Sequence, residues 1–154
     1  RLVFGPVMDN EYHLARYNLV DLALDTYPVG SHTTASDALW MGAPLLALSG
    51  RSFVSRVSGS VLRAAGMEQL IATSFDEYTA KAIAIGNDPG TAQALRQTLL
   101  RNRASVPLFD PARFAEHLGR AYETMVDIWR RGEAPHAVDV ASVDAQPARS
   151  VEVA

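Results

Sequence analysis

Ser31, His32, Thr33 and Thr34 stand side by side where a helical pattern begins, and Asp37 follows one turn after Thr33. The first turn of a helix presents unpaired backbone N–H groups and about half a unit of positive charge, so it attracts an anion such as phosphate. Two threonine hydroxyls and an imidazole add donors to the same place. Asp37, on the face of Thr33, has the acceptor chemistry that ribose hydroxyls need. Ser and Thr are also ordinary N-caps, and an acid near a helix start is favoured by the helix dipole alone. The pattern by itself leaves ligand binding and capping both open.

A second group is His13 and Arg16, three residues apart on one helical face, with Tyr17 beside them. Arginine clamps phosphate or stacks on a base, and histidine donates to a phosphate oxygen. A solvated helix face reads the same way, and only the placement of this helix directly after a strand argues for the functional reading. Arg51 and Arg56 form either further anion contacts or a polar lip. Trp40 and Trp129 fall in apolar helical patterns and read as packing residues. His117 and His136 have no companions at metal-ligand spacing, so no metal is assigned. Neither Gly-x-Gly-x-x-Gly nor a P-loop is present.

These residues need a scaffold, and the alternation of patterns supplies one. Leu2–Phe4 reads as a buried strand closed by Gly5 and Pro6. A helix follows from Asp9 to about Asn18, with Ala15, Leu19 and Leu22 spaced to face a core. Val20–Asp25 is the next strand, 33–41 a helix ended by Gly42, and 44–48 a third strand. A helix over about 54–65 stops at Gly66, and Leu70–Ala72 is a short fourth strand. Ser74 and Glu77 form a capping box for a helix to about Ile85. Asp88-Pro89 and Asp110-Pro111 start two more helices, the last closing at Arg130–Gly132. Beyond Gly132 an irregular tail, 133–154, is expected. Strands separated by helices of 10–15 residues predict an α/β fold with a parallel, doubly wound sheet, whose ligands bind at the strand carboxyl ends.

With 154 residues, 48% of them apolar, the chain is one domain in size and able to bury a core. A formal charge of −3 gives no attraction to nucleic acid or to an anionic membrane. The absence of cysteine removes disulfides and thiol chemistry and suits a reducing compartment, so the cytoplasm is expected. No apolar run reaches the length of a membrane span. The start, "RLVFGPV", reads as a strand already in progress, so the chain is expected to begin inside a larger protein.

The stretch "EYHLARYNLVDLALDTYPVGSHTTASDALWMGAPLLALSGRSFVSRVSGSVLRAAG", with "LIATSFDEYTAKAIAIGND" and "RASVPLFDPARFAEHLGRAYETMVDIW", closely resembles the catalytic region of the protein O-GlcNAc transferase family. That family includes bacterial homologues and the plant Spindly proteins. The resemblance covers about residues 1–129, and its most specific part is His-Thr-Thr, Asp three residues on, then Leu-Trp-x-Gly-x-Pro. It implies a Rossmann-like sheet forming the distal part of the C-terminal lobe of a GT-B glycosyltransferase, with the lobe over 1–132. The implied reaction is inverting, metal-independent transfer of GlcNAc from UDP-GlcNAc to protein Ser or Thr, with GDP-fucose as the alternative donor. From another class, the alternative is a non-catalytic module that binds nucleotide or a partner.

By the same resemblance His32, Thr33 and Thr34 hold the diphosphate and stabilise the leaving group, and Asp37 holds the ribose. Arg16 takes the base side of the nucleotide, His13 the phosphates or uracil edge, and the backbone near Val7 and Met8 pairs with the base. No certain catalytic residue falls in this chain. The implied partners are UDP-GlcNAc, an acceptor protein, the rest of the catalytic region and upstream helical repeats. Two departures stand out: Asn10 occupies a stretch where the animal enzymes carry a lysine, and Lys81, the sole lysine, is too far along to be the family's pyrophosphate lysine. Abundant Ala and Arg beside that single Lys suit a GC-rich, bacterial source.

Overall fold

The computed structural model describes residues 2–140. Contacts group the chain into two compact units, Arg1–Phe109 and Asp110–Ala154, with the last long helix in the second.

The first unit holds a parallel sheet of β1 (Ala23–Leu24), β2 (Leu45–Leu48) and β3 (Ile71–Ala72), in the order β1-β2-β3. Ala23 pairs with Leu45 and Ala47 with Ile71, so β2 is central. Parallel neighbours need a crossover, and α2 (Thr33–Trp40) and α3 (Val57–Ala64) provide the two. All four β2 residues are buried, as a strand covered on both faces must be, which explains the unbroken run "LLAL". Leu39, Leu46, Leu62, Met67 and Leu70 are almost fully enclosed. Each contributes about 1.5–3 kcal/mol relative to exposure, and together they fix where the strands end.

The α/β class and the parallel sheet are those expected from the alternation. The expected strand Leu2–Phe4 is not formed, and these three residues are 82–90% exposed. A strand exists only against a partner, and among the described residues none pairs with this segment. The second expected strand shrinks to Ala23–Leu24, because the carbonyls of Tyr17 and Val20 turn to accept from the Arg96 guanidinium instead of a neighbouring strand. The first helix is shorter too. α1 spans Asn10–Ala15 and then tightens into a 3₁₀ turn, Arg16–Leu19, which rotates Leu19 outward to 86% exposure. Leu22 does pack on the core.

Local signals elsewhere are realised closely. Gly42 ends α2 at φ +80°, a conformation open to glycine. Below it, Trp40 packs edge-on to Phe109 at 5.0 Å, while Arg103 lies 4.8 Å from the indole and donates to the Trp40 carbonyl at 3.1 Å. α4 (Phe75–Gly86) and α5 (Pro89–Asn102) are capped by Ser74 and Asp88.

In the second unit, α6 (Pro111–Arg130) is capped by Asp110. Ile128 is buried, but Trp129 is 77% exposed and is not a core residue. Residues 133–140 form no helix or strand, and the rest of the expected tail, 141–154, lies outside the described residues. No helix among the described residues is long and apolar enough to cross a membrane.

The cap of α4 generates a pH prediction. Ser74 Oγ accepts from the Glu77 N–H at 3.2 Å, and Glu77 Oε2 accepts from the N–H and hydroxyl of Thr73 at 2.8 and 3.0 Å. The Lys81 ammonium, 2.8 Å from Oε1, and then these Thr73 donors lower the Glu77 pKa from 4.5 to about 2. A lowered folded pKa adds stability that is fully present above 4.5 and is lost as pH falls towards 2. Unfolding midpoints of Glu77→Gln measured between pH 6 and 2 are expected to lie below wild type at pH 6 and to converge with it in acid.

Candidate functional site at the strand ends

The site begins with a buried acid. Asp25 follows β1 and is 7% exposed, and its Oδ1 accepts from the backbone N–H of Thr26 at 3.0 Å and of Ser31 at 2.7 Å. One carboxylate therefore closes the six-residue turn between the sheet and α2. Within the turn Thr26 Oγ1 donates to the Val29 carbonyl at 2.6 Å, and the Tyr27–Pro28 bond is cis. From α4, the Tyr78 hydroxyl donates to the Asp25 carbonyl at 2.8 Å. The Tyr78 pKa is raised by burial and then by the charge of Asp25, which keeps the phenol protonated as a donor.

This turn delivers the N-terminus of α2. His32 is the N-cap residue by position, yet its side chain makes no capping bond, and the first turn carries no acid. Thr33 and Thr34 are exposed, and among the described residues their hydroxyls and backbone N–H groups have no hydrogen-bond partner. The result is an open set of donors at the positive end of a helix. The His32 ring stands edge-on to Phe53, 6.3 Å away, which ties the loop after β2 to the same rim. Beside it a cleft of about 580 Å³ opens at the ends of β2 and β3, walled by Tyr27, Ser49, Arg51, Thr73 and Phe75.

The α1 group is internally organised rather than a solvated face. Arg16 donates to His13 Nδ1 through Nε at 3.1 Å and also through Nη2, and reaches the Pro6 carbonyl through Nη1 at 3.5 Å. Arginine only donates, so Nδ1 accepts and the imidazole proton sits on Nε2, free to donate outward. Tyr17 meets the His13 ring edge-on at 5.5 Å. Burial first, and then the Asp37 carboxylate, raise the Tyr17 pKa. The Asp37 charge on α2 is thus felt at Tyr17, next to the His13–Arg16 pair.

Asp37 is half-buried, as are His13 and Arg16; Val7 is fully exposed and Met8 partly so. Among the described residues neither Val7 nor Met8 makes a side-chain hydrogen bond, and Arg16 reaches back to the neighbouring Pro6 carbonyl. Lys81 is held at α4 by Glu77 and the Ile71 carbonyl and takes no part. Sequence reasoning missed Asp25, Gly30, Phe53, Ser58 and Tyr78. An acid before a turn-rich segment was the only visible signal for Asp25, and nothing in the pattern tied it to Ser31. Among the described residues no group of three or more His, Cys, Asp or Glu could hold a metal.

A parallel α/β sheet with an open, donor-rich helix N-terminus at its carboxyl rim fits part of one lobe of a GT-B fold. The model of glycosyl transferase family 41 matches residues 1–118, and the chain belongs to that family. It is 33% identical over 145 residues to the protein SEC of Arabidopsis thaliana, covering 94% of this chain and 15% of that protein. Identity is 32% over 139 residues to the UDP-N-acetylglucosamine–peptide N-acetylglucosaminyltransferase of Caenorhabditis elegans, with 90% and 12% covered. A solved structure of a mutant Thermobaculum terrenum O-GlcNAc transferase superposes with a TM-score of 0.70 at 37% identity, over 80% of this chain and 23% of that one. The chain thus spans a minor share of the length of each relative.

Gly30 carries a stability prediction. A Cβ there would stand 2.8 Å from Ser58 Oγ, 2.9 Å from Asp25 Oδ2 and 3.3 Å from the Val54 carbonyl oxygen, which itself accepts from Gly30 N–H at 3.0 Å. Overpacking at a site walled by backbone and buried oxygens costs about 1–3 kcal/mol. Gly30→Ala is expected to lower the denaturant midpoint of the intact protein accordingly; an unchanged midpoint would show that the turn yields.

Proposed function

We propose that this chain supplies the UDP-binding part of a cytoplasmic, bacterial protein O-GlcNAc transferase, which moves GlcNAc from UDP-GlcNAc to Ser or Thr hydroxyls. The observation that carries the reading is the uncapped N-terminus of α2, with the free hydroxyls of Thr33 and Thr34 beside His32. Membership of family 41 supports it. In the reaction the acceptor oxygen attacks the anomeric carbon from the face opposite the diphosphate. The bond to the β-phosphate oxygen breaks, configuration inverts, and the hydroxyl proton passes to a base supplied outside these residues. Negative charge grows on the departing UDP, and fixed donors aimed at that charge stabilise the transition state more than the ground state. The α2 N–H groups, Thr33, Thr34 and His32 fill that role without a metal.

The remaining roles follow the rim. His13 Nε2 donates to a phosphate oxygen or the uracil edge, Arg16 flanks the base, and the segment at Val7 and Met8 offers backbone groups to it. Asp37 accepts from the ribose hydroxyls. Residues 1–132 then act as part of a nucleotide-sugar lobe, completed by the rest of the catalytic region and served by helical repeats that bring the acceptor protein.

Calorimetric titration of the full-length protein with UDP and GDP tests the donor. UDP is expected to bind more tightly; a preference for GDP moves the chain to a fucose donor, and binding of neither leaves a non-catalytic module. Thr33→Ala combined with Thr34→Ala is expected to weaken UDP binding by about 0.5–1.5 kcal/mol per lost bond, and to lower turnover further. Both hydroxyls lack structural partners, so the melting temperature should hardly move.

Asp37→Asn separates ribose binding from a helix-dipole effect. A dipole partner contributes about 0.3–1 kcal/mol of stability, screened by salt. A ribose acceptor instead governs UDP affinity. The variant is expected to raise the UDP dissociation constant several-fold, with the gap to wild type narrowing for 2′,3′-dideoxy-UDP. Equal discrimination against the dideoxy compound by mutant and wild type would remove Asp37 from the ribose.

A further inference from the structure

We propose that Asp25 is the positioning residue of the donor site, holding Ser31 and through it the His32–Thr34 donors in register for a diphosphate it does not itself touch. The proposal rests on the reading of that rim as a UDP site. Three elements grip the same short turn. β1 ends in Asp25, whose Oδ1 takes the N–H groups of Thr26 and Ser31. The segment leading into α3 accepts the Gly30 N–H on the Val54 carbonyl, and α4 donates the Tyr78 hydroxyl to the Asp25 carbonyl. On the helix side the His32 carbonyl accepts from the Ala35 and Ser36 N–H groups, and among the described residues no side chain caps the Thr33 and Thr34 N–H groups. The bonds that tie this helix start back to the sheet therefore run through Asp25 and Gly30.

The second carboxylate oxygen lies in a closed corner. Asp25 Oδ2 and Ser58 Oγ are both buried without a hydrogen-bond partner among the described residues, and both lie on the side of Gly30 where a Cβ would stand. A buried acceptor left unpaired is costly, and the two Oδ1 bonds and the Tyr78 bond to the Asp25 carbonyl offset that cost. Glycine, with no Cβ, permits the close approach. Turning Asp25 away would free two backbone N–H groups. A shift of about 1 Å in donors aimed at a developing charge is enough to cost on the order of a hundredfold in rate.

The experiment uses the full-length protein with Asp25→Ala, Asp25→Asn and Tyr78→Phe. Amide hydrogen exchange at Thr26 and Ser31, read without nucleotide, reports the grip directly. Calorimetry with UDP and steady-state transfer kinetics report its consequence. Asp25→Ala is expected to speed exchange at these amides and to raise the UDP dissociation constant about tenfold or more, with a fall in kcat for protein that is still folded. Asp25→Asn retains Oδ1 and places an amide donor near Ser58 Oγ, so exchange and affinity should stay within about threefold of wild type. Tyr78→Phe, the milder change should Asp25→Ala not fold, is expected to produce the same two effects at about two- to threefold.

A lowered melting temperature with unchanged UDP affinity and kcat in either Asp25→Ala or Tyr78→Phe would make the role merely structural and overturn the proposal. So would unchanged exchange at Thr26 and Ser31. Wild-type protein that binds no UDP would sink the donor-site reading instead, and the exchange measurement would still decide whether Asp25 holds the turn.

Discussion

One carboxylate sets the geometry of the rim. Asp25 sits where β1 leaves the sheet, and its two bonds to the Thr26 and Ser31 amides convert a strand end into a helix start within a few residues. Burying a charged group is tolerable only when hydrogen bonds replace its water, and backbone N–H groups of a tight turn are the nearest donors. The sheet fixes one end of this arrangement through the pairing of Leu24 with Leu46, and the buried face of α2, Ala35, Ala38 and Leu39, fixes the other. Everything proposed for the nucleotide depends on that short span being inextensible.

The parts of this fold legible in the sequence are those decided within a few residues. Ser74 with Glu77, Asp88-Pro89 and Asp110-Pro111 each cap a helix where expected, because the bond runs to an N–H at most three residues away. Gly42, Gly66 and Gly132 all take positive φ at helix ends for the same reason. Failures occur where a distant group decides. Leu2–Phe4 has the composition of a strand but no neighbour, and the stretch from Tyr17 to Val20 yields its carbonyls to an arginine on α5. No local pattern carries that information.

The candidate site divides along the same line. His32, Thr33, Thr34 and Asp37 are visible because a helix start followed by an acid one turn later is a local motif. His13 and Arg16 are visible as a pair, but the hydrogen bonds by which Arg16 holds the His13 ring and reaches back to Pro6 are not. Asp25, Ser58 and Tyr78 are the least legible, since each acts on backbone or on empty space around Gly30. A residue whose partner is main chain leaves no complementary side chain to be noticed.

The chain's own helices begin in two ways. α4, α5 and α6 begin with Ser74, Asp88 and Asp110, each accepting from N–H groups of its first turn, whereas α1, α2 and α3 have no side-chain cap. What sets α2 apart is its place at the strand ends, with a histidine whose side chain makes no capping bond and two exposed threonines. Leaving a cap out forgoes about 0.5–2 kcal/mol of local stability. A helix clamped at its far end by Gly42 and by Arg103 on the Trp40 carbonyl, and buried along one face, tolerates that loss. In the proposed reading the diphosphate is the missing cap: the ligand satisfies N–H groups that no side chain claims, so its binding and the integrity of the first turn are the same interaction. A chain with net charge −3 can then hold a dianion, because the attraction comes from a few oriented dipoles at close range rather than from the protein's overall field.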